Sequence, residues 1–476
     1  MFTTMLQKTV WCMLAWGVAT TILAGSGVLI GEHSHASAAE NAINRLDTPE
    51  TQLLGVVSRL ALEPIGAGPP QDPAKVALGE ALFFDKILSG NRDIACATCH
   101  HPLLHGGDGL PLSIGTHGKG LGPARALADG YILIPRNAPE LFNRGSPLWH
   151  TMFWDGRVVE TSGYFGTPAG DQLPDGLDNA LAVQAMFPVT SRDEMRGHPA
   201  HDAMEPQAHG MAALQSNDLT EIADGEFTAI WSALMKRLLA IPAYQALFRD
   251  AYPDTPADAL SFAHAANALA AYEIAAFSFD DSPWDRFLAG DPSALSAEAT
   301  QGALLFYGKA RCATCHSGIL LTDQAYYNIG VPQLGPGKDE SGLDYGRQRE
   351  TGDEADRFAF RTPPLRNVAL TGPWMHNGAY ATLKDAVRHH LDAADSLAAY
   401  TGDQLRPDVR ATLRTEPAVV ADQLGTLDPW MQDPPSLSMR EIDQILAFLH
   451  AQTSPSALSL GHLVPDSVPS GLPVWD

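Results

Sequence analysis

The sequence is poor in positive charge, in cysteine and in long apolar runs. It contains 31 lysine and arginine residues and 55 aspartate and glutamate residues, so the net charge is −24. This balance argues against the basic surface on which nucleic-acid binding depends. It leaves either a merely solvated acidic surface or one that attracts a basic partner protein. Only five of the 476 residues are cysteine. Because no apolar run as long as the N-terminal one recurs, we expect the mature protein to be soluble.

The N-terminus has the pattern of an export signal. Lys8 precedes an uncharged stretch from Thr9 to Gly31, and Ala36-Ser-Ala38 supplies the small residues that a signal peptidase requires. We predict that residues 1–38, which include Cys12, are removed near Ala38 and that the protein works in the periplasm. An uncleaved membrane anchor is the alternative, because the stretch is long enough to span a bilayer.

Helical periodicity dominates the rest of the chain, and strand patterns are sparse. A glycine- and proline-rich stretch at 101–148 and a glycine- and charge-rich stretch at 317–361 indicate long ordered loops, and the tail after Thr453 is expected to be irregular. Ser438 and Glu441 form a capping box for the last helix. Helices are predicted from Ala77, over Phe227–Phe248, over Ala257–Phe279 and over Ser438–Ala451.

One motif occurs twice, each time after a similar helix. Gly79-Glu-Ala-Leu-Phe83 precedes Cys96-Ala-Thr-Cys99-His100, and Gly302-Ala-Leu-Leu-Phe306 precedes Cys312-Ala-Thr-Cys315-His316. Cys-x-x-Cys-His is a c-type haem attachment pattern: two thiols bind one edge of the macrocycle, and the histidine reaches the iron. A four-cysteine zinc site would leave both histidines unexplained. Paired redox centres would not require them either.

Two covalent haems are therefore predicted, and no cysteine outside the export segment remains for a disulfide. Asp280-Asp-Ser-Pro283 interrupts the helical pattern and is the predicted domain boundary. We expect a mainly α fold of two cytochrome c-like haem domains, residues 39–280 and 281–476, with long ordered loops.

The order of several short strings resembles the bacterial diheme cytochrome c peroxidases and the related MauG-like enzymes. The resemblance runs from about Gly79 to His450. Besides the two haem motifs, the strings are Ser113-Ile-Gly115, Arg136-Asn-Ala-Pro139, Phe153-Trp-Asp-Gly-Arg157, Leu365-Arg-Asn-Val368 and Met375-His-Asn-Gly378.

The resemblance implies that the N-terminal haem reacts with peroxide and that His100 is its proximal ligand. His117 is the nearest match to a histidine that caps this haem at rest, and His105 is an alternative. Glu194, in the segment Phe187–Met195, matches the carboxylate that moves protons on peroxide. Each of these three residues could instead be an ordinary loop side chain.

Two further features follow from the resemblance. Trp154 matches a tryptophan between the haems that bridges electron transfer, although an aromatic core role is compatible with the same position. A calcium ion is expected on the Asn137 side chain and the backbone carbonyls of Thr371 and Pro373.

The second haem departs from the family pattern. Its proximal ligand is His316, and the other ligand stands fourteen residues after His376, where the peroxidases usually have Met and MauG-like enzymes have Tyr. Here the residue is His390, and His389 is the alternative ligand. Without a role in ligation, both would be ordinary histidines on the surface of a helix. Imidazole in place of Met should lower the reduction potential.

Three functions are compatible with these residues. The first is reduction of hydrogen peroxide, with electrons from a small cytochrome or copper protein passing from the C-terminal to the N-terminal haem. The second is MauG-like oxidation of a residue on a partner protein, and the third is electron transfer alone. Glu194 and Trp154 argue against the third, and the missing Met at 390 favours the second over the first. The resemblance also implies a possible homodimer.

Overall fold

The computed structural model describes residues 48–128, 130, 132–199 and 217–475, and Pro49–Asp476 form one compact unit. The predicted export segment and its cleavage site lie outside the described residues. Within the described part of the chain, no helix is both long and apolar enough to cross a membrane.

The described chain is mainly helical, which confirms the predicted fold class. Its α-helices are α1 (Pro49–Leu60), α2 (Pro73–Phe84), α3 (Cys96–Cys99), α4 (Ala180–Ala185), α5 (Phe227–Leu239), α6 (Pro242–Ala251), α7 (Phe262–Phe277), α8 (Pro283–Leu288), α9 (Ala297–Tyr307), α10 (Gln348–Thr351), α11 (Leu383–Leu391), α12 (Ala393–Ala398), α13 (Pro407–Arg410), α14 (Pro417–Gly425), α15 (Pro429–Gln432) and α16 (Met439–His450).

The strands are short. An antiparallel sheet pairs β1 (Thr151–Met152) with β2 (Val158–Thr161) and β2 with β3 (Tyr164–Gly166). A second antiparallel pair joins β4 (Tyr326–Tyr327) to β5 (Phe360–Arg361).

The helix boundaries follow local chemistry. Asp72 accepts a hydrogen bond from the Ala74 amide at 2.8 Å and caps α2, where Pro73 occupies the first turn. The single helix predicted over Phe227–Phe248 is two helices, because Pro242 begins a new first turn and cannot donate the hydrogen bond that continuity requires. The capping box predicted for the last helix is present, with the Ser438 hydroxyl accepting from the Glu441 amide.

Buried apolar side chains form three clusters. The largest is built mainly on α2, α4, α5, α6 and α7, and the second on α1, α8, α9 and α16. The third joins Leu112 and Ile114 of the first half to Val331 and Leu334 of the second. The boundary predicted at residues 280 and 281 falls between α7 and α8 and remains a prediction.

The C-terminal tail packs back on the first half of the chain. The sequence indicates an irregular tail, and the structure shows short 3₁₀ turns at Pro455–Leu458 and Gly461–Leu463. The Ser470 hydroxyl donates to the buried Asp85 carboxylate at 2.6 Å, and the Trp475 ring lies 5.4 Å from that of His101. The tail is thus anchored beside the first Cys-x-x-Cys-His motif by contacts that local composition does not reveal.

Candidate functional site

The first motif opens onto a cavity of about 810 Å³. The short helix α3 places Cys96 and Cys99 on its wall, together with His100. The His100 Nδ1 lies 3.1 Å from the Gly106 carbonyl oxygen, which directs Nε2 away from the backbone. Burial lowers the pKa of His100, so that the imidazole is neutral and keeps a lone pair for a metal.

These residues fit a covalently bound haem. Neither thiol is in a disulfide, and the cavity is within the range of about 300–1,000 Å³ that holds cofactor-sized ligands. A metal-ligating histidine usually donates its other ring N–H to a carbonyl, as the His100–Gly106 contact allows. His100 would therefore hold the iron from one side while Cys96 and Cys99 bind the macrocycle edge.

Glu194 lies on the wall of the same cavity. It belongs to a π-helical turn, Arg192–Arg196, that packs against the Ser-Ile-Gly segment, where the Thr116 amide donates to the Glu194 carbonyl at 3.1 Å. A Cβ at Gly115 would lie 1.9 Å from the Asp193 carbonyl oxygen, so only glycine permits this approach. Two segments that are far apart in sequence are thus held together to present one carboxylate.

Burial raises the pKa of Glu194, and the nearby cations Arg157 and Lys338 oppose that rise. Both cations also line the cavity. Lys338 comes from the loop of the second half, and its Nζ lies 3.8 Å from the Asp155 carboxylate. A carboxyl whose pKa is raised holds its proton more readily than an ordinary glutamate does, which favours its use as an acid–base group.

His117 is not among the residues that line this cavity. Its Nε2 lies 2.8 Å from the Asn91 amide nitrogen, and its backbone N–H donates to Asp93 at 2.7 Å. His105 is likewise absent from the cavity wall, with its Nδ1 3.2 Å from the Ala457 carbonyl. The structure brings neither candidate cap to His100, and the resting cap stays a prediction.

The second motif opens onto a separate cavity lined by Cys312, Cys315, His316 and His390. The His316 Nδ1 lies 3.2 Å from the Leu321 carbonyl and the His390 Nδ1 lies 2.8 Å from the Ala386 carbonyl. The two ring centroids are 6.3 Å apart. Two imidazoles that bind one metal from opposite sides at about 2 Å have ring centres about 6 Å apart. The pair therefore fits a haem iron between them.

His389 points elsewhere. It is fully buried, its Nδ1 lies 2.8 Å from the Tyr380 hydroxyl, and its Nε2 lies 2.7 Å from the Ile329 carbonyl. Both of its ring nitrogens are engaged within the fold. Of the two adjacent histidines, the structure therefore brings only His390 to the cavity wall.

The two motifs lie in different cavities, so their four cysteines do not form a zinc site. Among the described residues, no group of three or more His, Cys, Asp or Glu side chains could hold a metal ion. Burial raises the pKa of both Cys96 and Cys312 to about 12, so these thiols are protonated at neutral pH. Such thiols lack the low pKa of redox-active Cys-x-x-Cys centres.

Trp154 lines both cavities. Its indole Nε1 donates to the Asn137 carbonyl at 3.0 Å, and its ring lies 6.4 Å from that of His376. Thr371 and Pro373 line the second cavity beside Asn137. The Asn137 amide nitrogen donates to the Leu110 carbonyl at 2.7 Å, which orients the side-chain oxygen away from that contact.

Besides Lys338, the structure brings to the cavity walls ionisable residues that the sequence patterns do not indicate, among them Glu140, Arg361 and Glu273. Glu140 and Arg361 line both cavities, and Glu273 lines the first. Burial raises the pKa of Glu140 and lowers that of Arg361 to about 9. Glu140 directly follows the Arg-Asn-Ala-Pro string, which is a weak signal. Arg361 lies in β5, directly after a long loop, and Glu273 lies within α7, and no local pattern distinguishes either residue.

Comparison with known proteins agrees with this geometry. A family model described as di-haem cytochrome c peroxidase matches residues 73–293. Methylamine utilization protein MauG of Methylorubrum extorquens is 31% identical over 365 residues, which cover 74% of this chain and 81% of that protein. Cytochrome c551 peroxidase of Pseudomonas aeruginosa is 32% identical over 341 residues, which cover 72% of this chain and 77% of that protein.

Solved structures share the fold. A MauG-like protein associated with microbial copper homeostasis matches with a TM-score of 0.55 and 24% identity, over 84% of this chain and 95% of that chain. The diheme peroxidase BthA of Burkholderia thailandensis matches with a TM-score of 0.52 and 21% identity, over 85% of this chain and 90% of that chain. With two Cys-x-x-Cys-His cavities on this fold, the chain belongs to the di-haem cytochrome c peroxidase family and carries two haem c groups.

Proposed function

We propose that this protein is a periplasmic peroxidase that reduces hydrogen peroxide to water in the first cavity. The observation that carries the proposal is that Glu194 lines the same cavity as Cys96, Cys99 and His100. A proton-transferring carboxylate facing a haem site is what cleavage of the O–O bond requires. A cytochrome that only transferred electrons would not need it.

Glu194 acts as the acid–base group. The bound haem supplies the iron centre at which peroxide is reduced. Glu194 accepts the proton of the oxygen nearer the iron and returns it to the leaving oxygen, which departs as water. Two electrons and two further protons complete the conversion of one peroxide molecule into two water molecules. Arg157 and Lys338 counter the burial of Glu194 and keep its ionised form accessible.

Electrons are proposed to enter at the second haem and to reach the first through the wall that the two cavities share. Trp154 stands in that wall and contacts Asn137 and His376. Its indole offers a polarisable aromatic ring between the two sites. His316 and His390 would ligate the second iron, which leaves no open face there for peroxide. The natural donor is proposed to be a small cytochrome or copper protein.

The test is turnover of hydrogen peroxide by the purified diheme protein with a reduced small cytochrome. We expect oxidation of two cytochrome molecules for each peroxide consumed, because each cytochrome supplies one electron. The measurement is stopped-flow absorbance of the donor cytochrome. The control is the same mixture of protein and donor without hydrogen peroxide. Peroxide consumption without donor oxidation would contradict the proposal.

A MauG-like reaction is the second candidate, and one observation favours it. His390, rather than Met, faces His316 across the second cavity, and imidazole ligation lowers the potential at which that haem gives up electrons. Such a haem suits the storage of oxidising equivalents for attack on a partner protein. If the turnover experiment shows no donor oxidation, mass spectrometry of a co-expressed partner would reveal the covalent change that this reaction leaves.

We also propose a calcium ion on the Asn137 side-chain oxygen and the carbonyls of Thr371 and Pro373. Support comes from their common place on the wall of the second cavity and from the preference of Ca²⁺ for oxygen ligands. Chelation is expected to slow electron transfer between the haems and added Ca²⁺ to restore it, as measured by the rate at which the first haem is reduced. An Asn137→Ala variant lacks the side-chain oxygen, and a response to chelator identical to that of the wild type would argue against this residue as a ligand.

A further inference from the structure

The two halves of the chain contain the same close helix crossing. At Gly79 of α2, an added Cβ would lie 1.9 Å from the Ala268 carbonyl oxygen on α7. At Gly302 of α9, it would lie 1.9 Å from the Gln444 carbonyl oxygen on α16. Each glycine belongs to the repeated pattern before a haem motif. The crossing therefore gives a residue-by-residue equivalence between α7 and α16, with Ala268 matched to Gln444.

Counting along the helices extends the equivalence into the cavities. Leu269 corresponds to Ile445, and both are apolar residues that line their own cavities. Glu273 corresponds to Leu449, and these two also line their cavities. The first haem site therefore has a carboxyl group where the second has a hydrocarbon. If this position only had to fill space beside the haem, a leucine would suffice, as Leu449 does in the second half.

Glu273 is placed as an isolated buried acid. Glu273 is 7% exposed to solvent, and its Oε2 atom has no hydrogen-bond partner among the described residues. The charged and titratable groups around it are Arg144, Cys96 and its neighbour Tyr272. The charge of Glu80 on α2 also raises the pKa of Tyr272. Burial raises the pKa of Glu273 to about 8, although Arg144 partly opposes the rise.

A carboxyl in this position responds to charge on the macrocycle. Adding an electron to a buried metal centre makes its surroundings more negative, and a nearby acid then holds its proton more tightly. Removing the electron has the opposite effect. Because the interior screens charge weakly, the coupling between the two groups is stronger than it would be in water.

We propose that Glu273 is the redox-linked proton site of the first haem. It binds one proton from solvent when that haem accepts one electron from a one-electron reductant, and it releases the proton when the electron leaves. The net charge of the cavity then stays constant through each one-electron step. This inference rests on the two haems and not on the reaction with peroxide, so it stands or falls separately from the proposed function.

The test is a spectroelectrochemical titration of the diheme protein in buffers that span the pKa near 8. In the wild type we expect the potential of the first haem to fall by up to about 59 mV for each tenfold decrease in proton concentration. The fall should occur between the pKa that Glu273 has with the haem oxidised and the higher pKa that it has with the haem reduced. Glu273→Gln, which keeps the shape and cannot ionise, is expected to remove this dependence. Glu273→Leu, which installs the residue of the second half, is expected to do the same.

Glu80→Gln is the matched control, because it makes the same chemical change on the adjacent helix at a residue that does not line the cavity. It should keep the wild-type dependence. A wild-type potential that does not vary with pH would overturn the proposal, as would a dependence that persists in Glu273→Gln or vanishes in Glu80→Gln. If both Glu273 variants lose haem, the reduced-minus-oxidised infrared spectrum of the wild type decides, since no change in a protonated carboxyl band would also overturn it.

Discussion

Replacement of His390 by alanine is expected to convert the second haem from low spin to high spin. In the wild type, His316 and His390 face one another with ring centroids 6.3 Å apart. Bound to one iron, they supply two strong-field nitrogen ligands, and removal of one leaves an open coordination position. The measurement is EPR and electronic absorption of the diferric protein. The low-spin bis-histidine signal should be lost in the variant.

His389→Ala provides the control for this experiment. His389 is the neighbouring residue on α11, but its ring nitrogens lie 2.8 Å from the Tyr380 hydroxyl and 2.7 Å from the Ile329 carbonyl. Its removal should lower stability, because the Ile329 carbonyl loses this hydrogen-bond partner, and should leave the low-spin signal in place. If His390→Ala retains that signal while His389→Ala loses it, the ligand assignment is wrong.

His390→Met extends the same argument to the potential. Met in place of His raises the potential of a c-type haem, and axial ligands together span a range of about 0.8 V. A raised potential in this variant would show that residue 390 sets how readily the second haem gives up electrons. The ligand at this one position thus bears directly on the choice between a donor-fed peroxidase and a MauG-like oxidase.

The wild-type spectrum also reports on the first haem. The structure places His117 against Asn91 and not in the cavity. Among the described residues, neither His117 nor His105 reaches this cavity, so we expect the first haem to give a high-spin signal in the diferric protein. Two low-spin signals would instead indicate a resting cap such as His117, which would have to leave before peroxide binds.

Local chemistry explains why much of the site could be predicted from sequence. A Cys-x-x-Cys-His string specifies its own cofactor chemistry, and the repeated string that contains Gly79 or Gly302 indicates the helix before each motif. The capping box at Ser438 is likewise a contact between residues three apart. Such features need no knowledge of the rest of the fold.

The placement of loop residues could not be predicted, because distant contacts set it. The Arg125 guanidinium donates to the carbonyls of Ile114, Gly115 and Gly120 at 2.8–2.9 Å and so shapes the loop that carries His117. The same limit applies to Lys338, which reaches the first cavity from the other half of the chain. No periodicity in a glycine-rich loop encodes where its side chains will point.

Glu194→Gln is expected to lower the rate of peroxide cleavage about 10²- to 10⁴-fold, the usual contribution of a positioned acid–base group. The amide keeps the size of the side chain but cannot accept the proton of peroxide. Stopped-flow absorbance of the first haem after mixing with hydrogen peroxide measures the rate. Glu226→Gln, an exposed residue at the start of α5, is the matched control and should react like the wild type.

The pH profile of the same reaction separates a chemical role of Glu194 from a structural one. Because burial raises the pKa of this carboxyl above its ordinary value of 4.5, the ionised form that accepts the proton is lost as pH falls through that raised pKa. The wild-type rate should therefore decrease on the acid side at a pH above 4.5, and the Glu194→Gln variant should lack this decrease. Lys338→Met removes a cation that favours the ionised form, so its acid limb should move to higher pH. An unchanged limb in Glu194→Gln would mean that another group moves the proton.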